Sequence, residues 1–159
     1  MQRILSVTLL MVSMVSFLNA QEETGPVADQ ARKEILKMEL DKVPILLEGG
    51  ATTADWFDRV NDDDLVYVEP RAGVKTKTQV EEQWRSGGRK TVANHQYDHR
   101  VRIYGNGTVG VMSYFGDTEV VDKAGETIKK SHTVTTDVWI KKGVKWKRLV
   151  HHVSLLGPE

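Results

Sequence analysis

Residues 94–155 read NHQYDHRVRIY, GNG, TVGVMSYFGDTEVV, DKAG, ETIKKSHTVTTDVWIK, KGV and KWKRLVHHVSL. Four β-rich runs, Asn94 to Tyr104, Thr108 to Val121, Glu126 to Lys141 and Lys145 to Leu155, are separated by three short links that each contain glycine. Short glycine-bearing links between such runs are hairpin signals, and the Asn106-Gly107 pair is the strongest kind. A four-stranded antiparallel meander is therefore expected over this half of the chain. Asn106-Gly107-Thr108 also has the form of a glycosylation acceptor, but here it reads as the hairpin turn itself.

Upstream of the meander the period changes from two to that of a helix. Pro26 suits a first helical turn, and Ala28, Ala31, Ile35, Met38 and Ile45 recur at spacings of three, four and seven. Pro44 should kink or end that helix, and Gly49-Gly50 closes it. A second helix is expected over Thr53 to Val60, capped by Thr52 or Thr53, with Trp56, Phe57 and Val60 on its apolar side. Asn61-Asp62-Asp63-Asp64 reads as a solvated turn, since it lacks the spaced ligands and glycine of a calcium loop. Leu65 to Glu69 is a strand stopped by Pro70. Thr78-Gln79-Val80-Glu81 fits a capping box that opens a helix carrying Trp84 and ending at Gly87-Gly88. Helices segregated from an antiparallel sheet make the class α+β.

Met1 to Ala20 has the order of a secretory leader: Arg3, an apolar run from Ile4 to Leu18, then small Ala20 before polar Gln21. The run of about 15 residues falls short of the ~20 needed to span a bilayer, so export to the periplasm or beyond is expected, rather than a retained anchor. Residues 21–30 then read as a polar leader and 31–156 as one domain. Lys plus Arg and Asp plus Glu number 22 each, so no basic excess points to nucleic acid or to a membrane surface after cleavage. The sequence contains no cysteine, which excludes disulfides, thiol catalysis and thiolate metal sites.

The segments Glu34-Ile35-Leu36-Lys37-Met38-Glu39 through Asp64-Leu65-Val66-Tyr67-Val68-Glu69-Pro70, and Thr136-Asp137-Val138-Trp139-Ile140-Lys141-Lys142-Gly143 followed by Trp146 and His152-Val153-Ser154, resemble the nuclear transport factor 2-like domains of the SnoaL-like and DUF4440 groups. The resemblance implies a cone, a strongly bent antiparallel sheet wrapped around helices with a pocket open at one end, and a homodimer. Such a fold hosts enzymes, transport factors and assembly domains, so the pocket residues must decide the function.

Within that resemblance the chain is similar to ketosteroid isomerase, whose chemistry uses one ionised and one neutral carboxyl group. The resemblance places Glu69, before Pro70, as the base and Asp137 as the electrophilic donor. The isomerase also has a tyrosine on its first helix, and that place here holds Lys42 or Val43. The alternative for the pair is a strand-end surface carboxylate and an aspartate paired with a neighbouring cation.

Period-two alternation puts Thr133, Thr135, Asp137 and Trp139 on one strand face and leaves open which face looks inward. It also sets Trp146, Arg148, Val150, His152 and Ser154 on one side of the last run. His152 is a candidate acid/base, with a bonded or dimer-face histidine as the alternative. Tyr67, Trp84, Tyr97, Thr135 and Trp139 are candidate ligand-lining residues, or, for the aromatics, ordinary core. His95 and His99 lie about 13 Å apart along a strand, too far for one ion, and no metal or cofactor is implied. Three functions follow: a binding domain for a small, mostly apolar ligand; an isomerase or dehydratase moving a proton next to a carbonyl; or a dimeric interaction module.

Overall fold

The computed structural model describes residues 21–70 and 72–157. The expected export segment, Met1 to Ala20, lies outside the described residues. Three helices and six strands follow one another as α1 (Pro26–Glu48), α2 (Gly50–Val60), β1 (Asn61–Glu69), β2 (Gly73–Lys75), α3 (Lys77–Arg85), β3 (Arg89–Tyr104), β4 (Val109–Asp122), β5 (Thr127–Lys142) and β6 (Lys145–Leu155). The strands form one curved, unclosed sheet in the order β2-β1-β6-β5-β4-β3. β3 to β6 make the expected antiparallel meander, and β1 joins it parallel to β6.

Helix α1 runs through Pro44 without ending there and closes at Gly49, as the Gly49-Gly50 pair predicts. The missing N–H falls on the exposed side of the helix, where water can serve the carbonyl that loses its partner. The buried stripe of α1 is Ala28, Ala31, Ile35, Glu39, Lys42 and Leu46. Its N-terminal half packs closely on the sheet: a Cβ at Gly110 would clash with Ile35 Cδ1. Its C-terminal half carries two charged residues inward, Glu39 and Lys42.

Helix α2 begins at Gly50, earlier than expected, with no side-chain cap. Thr53 instead closes α1, its hydroxyl donating to the Ile45 carbonyl at 2.7 Å. The capping box of α3 is built by Thr76 and Gln79, two residues before the expected pair, because β2 ends at Lys75 and leaves Thr76 extended. The acidic run is not a solvated turn. Asn61 and Asp62 are buried at the start of β1, and Asp62 Oδ2 pairs with Lys142 at 2.6 Å.

Two register breaks re-aim side chains. In β3 the pairing shifts between Tyr97 and Arg100, where Asp98 adopts φ 54°, turning His99 inward beside Gln96. In β6 it shifts between Arg148 and Val150, the partners of Trp139 and Val138. The extra residue, Leu149, ends the strict alternation, so both Arg148 and His151 face inward.

Candidate functional site

A cavity of about 130 Å³ opens between α1, α3 and the inner face of the sheet. Its walls are apolar toward Leu46, Phe57 and Trp84, and its floor is polar, with Lys42, Tyr114 and His151. The inner face of β5 is the one carrying Thr133, Thr135, Asp137 and Trp139, all buried, which settles the parity that alternation left open.

Four of the residues singled out from sequence meet in this cavity: Tyr67, Glu69, Trp84 and Thr135 all line it. Glu69 stands at its edge, held by Lys75 at 2.5 Å. Asp137 does not line it. Fully buried, it lies behind His151, whose Nδ1 is 2.6 Å from Asp137 Oδ1. The histidine that reaches the cavity is His151; His152 points to the exposed side, a consequence of the bulge. Trp139 is fully buried in the core, beneath Arg148. Tyr97 lies on the outer sheet face, stacked on His95 and Phe115.

Beneath the floor lies a buried charge cluster. Arg148 is fully buried, with its guanidinium 5.5, 5.3 and 5.6 Å from the rings of Trp56, Phe57 and Trp139. Its Nε donates to Asn61 Oδ1 at 2.9 Å, and its Nη1 lies 3.7 Å from Asp137 Oδ2 and 4.0 Å from Glu39 Oε2. Among the described residues, Glu39 Oε2, Asp137 Oδ2 and Arg148 Nη2 are buried without a hydrogen-bond partner. Glu39 Oε1 accepts from Lys42 and, at 3.1 Å, from Gln96. Lys42 Nζ also donates to the Tyr114 hydroxyl at 2.9 Å.

The electrostatics follow from this packing. Burial opposes ionisation of Asp137, but the charge that His151 acquires in acid and the charge of Arg148 outweigh it and hold its carboxyl at about 2. Burial depresses His151 below the usual imidazole value despite Asp137 beside it. Burial, and then the Glu39 and Asp137 charges, push the Tyr114 phenol well above its ordinary value. At neutral pH the floor therefore holds a neutral imidazole that donates Nδ1–H to an ionised carboxylate. This leaves Nε2 as a lone pair, with no hydrogen bond from any described residue. His151 is stacked on Tyr67, ring centroids 4.5 Å apart, which fixes its plane. An imidazole whose Nδ1–H is held by a carboxylate and whose Nε2 faces a cavity has the arrangement of a general base.

Acid is expected to destabilise the fold in two stages. A folded pKa below the unfolded value of about 6.5 means that His151 contributes stability that is complete above that pH and lost as pH falls below it. His99, also depressed by burial, adds to this stage. Asp137 contributes stability present above about 3.9 and lost as pH falls through about 2. Urea unfolding across the acid range measures both stages, and His151→Gln should flatten the first. A wild-type protein that gains stability between about pH 7 and about pH 5 contradicts this assignment.

Sequence reasoning passed over Glu39, Tyr114, Arg148 and His151, and read Lys42 only as the absence of a tyrosine. A signal did exist for two of them: Glu39 and Lys42 stand at the helical spacing that continues Ala28, Ala31 and Ile35 to Leu46. Among the described residues no group of three or more His, Asp or Glu side chains is placed to hold a metal ion.

A family model described as SnoaL-like domain matches residues 50–158. No curated protein matches. Solved structures share the fold at low identity. An NTF2-like protein of unknown function in nutrient uptake from Rhodospirillum rubrum is 22% identical, covers 80% of this chain and 97% of its own, and superposes with a TM-score of 0.62. The association domain of C. elegans calcium/calmodulin-dependent kinase II is 18% identical over 80% of this chain and 97% of its own, with a TM-score of 0.62. A protein described as a candidate scytalone dehydratase, from Novosphingobium aromaticivorans, is 11% identical over 82% and 87%, with a TM-score of 0.68.

Proposed function

Because the chain belongs to the SnoaL-like domain family of the nuclear transport factor 2-like superfamily, we propose that its cavity is a site for a small carbonyl compound and that His151 moves a proton at the carbon next to the carbonyl. The observation that carries this reading is the cavity-facing imidazole, locked by Asp137 in the tautomer that leaves Nε2 basic. Volume sets the ligand's size. An apolar cavity of about 150 Å³ takes up benzene, so about 130 Å³ suits a single six-membered ring. The polarity of the lining sets its orientation, with an apolar body against Phe57 and Trp84 and an oxygen toward Lys42. Two of the three Lys42 N–H donors serve Glu39 and Tyr114, and the third is left for that oxygen. Elimination of water next to a carbonyl begins with the same proton removal, so isomerase and dehydratase reactions are both within reach of this floor.

Cyclohexanone and acetophenone in deuterated buffer provide the test. The protein should raise its melting temperature with one of them and catalyse loss of the α-proton NMR signals faster than buffer imidazole does. A melting-temperature rise without exchange would leave a binding cavity only and end the proton-transfer reading.

A further inference from the structure

Lys42 is 3% exposed, on the floor of a cavity, and its amine touches a carboxylate and a phenol. A lysine left only to balance Glu39 has no need to reach the cavity, since fully buried Arg148 already lies 4.0 Å from that carboxylate. The arrangement of Lys42, Glu39 and Gln96 matches that of an activated nucleophile. The amine is within hydrogen-bonding reach of a base, and the base is oriented by a third group, Gln96 Nε2 at 3.1 Å from Glu39 Oε1. A desolvated lysine beside a proton acceptor is the residue type that forms Schiff bases with carbonyl compounds.

We propose that Lys42 condenses with the carbonyl group of the cavity ligand to form an imine, with Glu39 as the proton carrier. The idea rests on the reading of the cavity as a carbonyl site. Glu39 takes one proton from the Lys42 ammonium, freeing the nitrogen lone pair to attack the carbonyl carbon. The C–N bond forms as the carbonyl π pair moves to oxygen, which receives that proton. Glu39 then carries a second proton from nitrogen to the hydroxyl, the C–O bond breaks, and water leaves. The ammonium and the ketone thus become a protonated imine and water, with the positive charge kept on nitrogen beside the Glu39 carboxylate. No oxidant or reductant takes part. The protonated imine withdraws electrons from the neighbouring carbon more strongly than the carbonyl did. It therefore acidifies the proton that His151, which lines the same cavity, is placed to remove.

Reductive trapping tests this directly. The protein is incubated with cyclohexanone or benzaldehyde and cyanoborohydride, then digested and mapped by mass spectrometry. The expected result is one reduced adduct on the peptide containing Lys42, formed ahead of any on exposed lysines such as Lys37 or on Lys129 at the cavity mouth, and lost in Lys42→Arg. No adduct, or an exposed lysine labelled first, overturns the proposal. The wild-type peptide map decides the matter even if the variant folds poorly. The experiment also separates this inference from the reading beneath it. Proton exchange without an adduct on Lys42 removes the imine alone, whereas an adduct on Lys42 without exchange removes the role of His151 alone.

Discussion

Arg148→Met is expected to destabilise the fold by about 3–5 kcal/mol, the scale of breaking a buried ion pair by removing one partner. The methionine fills much of the space between Trp56, Phe57 and Trp139, so apolar packing is largely kept. What goes is the cation shared by two carboxylates that are both 0% exposed, Glu39 and Asp137. Asn61 also loses the donor to its Oδ1. Arg148→Lys should recover only part of the loss, since an ammonium is a point charge without the planar fork that reaches three partners at once. Adding Asp137→Asn to Arg148→Met should restore stability, because the second change removes one of the stranded charges. Urea unfolding followed by tryptophan fluorescence reads all three variants. A loss below about 1 kcal/mol for Arg148→Met would mean that the cluster is solvated and the floor described above is not a dry site.

The fold was largely legible because its signals are local. Glycine-bearing links between β-rich runs marked three hairpins, and the spacing of Ala28, Ala31 and Ile35 marked the helix against which the sheet curves. The site was less legible because it depends on departures from those same periods. Strict alternation places Arg148 and His152 on one face, and the single extra residue at Leu149 substitutes His151 for His152. The helical stripe was followed through its apolar members to Met38 and Ile45, while the buried line runs through Glu39 and Lys42. Charged residues at core positions look like errors in a pattern until Arg148 and Tyr114 arrive from strands more than seventy residues away. Asp137 was found because of its resemblance to a known carboxyl position, and the structure shows it ionised, fully buried and hydrogen-bonded to His151. In the proposed reaction it would therefore act through that histidine, without touching a ligand. Short β2 carries no usable period in three residues, and its absence from the sequence reading shifted the start of α3.

His151→Gln is expected to lower α-proton exchange by about 10²–10⁴-fold, the usual contribution of a positioned base. The ligand's thermal shift should be nearly unchanged, since glutamine keeps a polar group of similar reach beside Tyr67. Asp137→Asn distinguishes a base from a merely structural histidine. The asparagine amide can offer an N–H to Nδ1 where the carboxylate accepted one, which moves the imidazole proton to Nε2 and removes the lone pair that faces the cavity. Exchange should therefore fall although His151 itself is intact. The pH profile carries an independent sign. Exchange in the wild type requires neutral His151, so the rate rises with pH through that group's titration, which burial places below the ordinary imidazole range. The Asp137 charge is one of the forces opposing that depression, so in Asp137→Asn the residual activity should have its acid limb at lower pH than the wild type. A base other than His151 would leave the limb in place. Wild-type exchange surviving in His151→Gln would move the base elsewhere on the cavity wall, with Glu69 the next carboxylate in reach of a ligand.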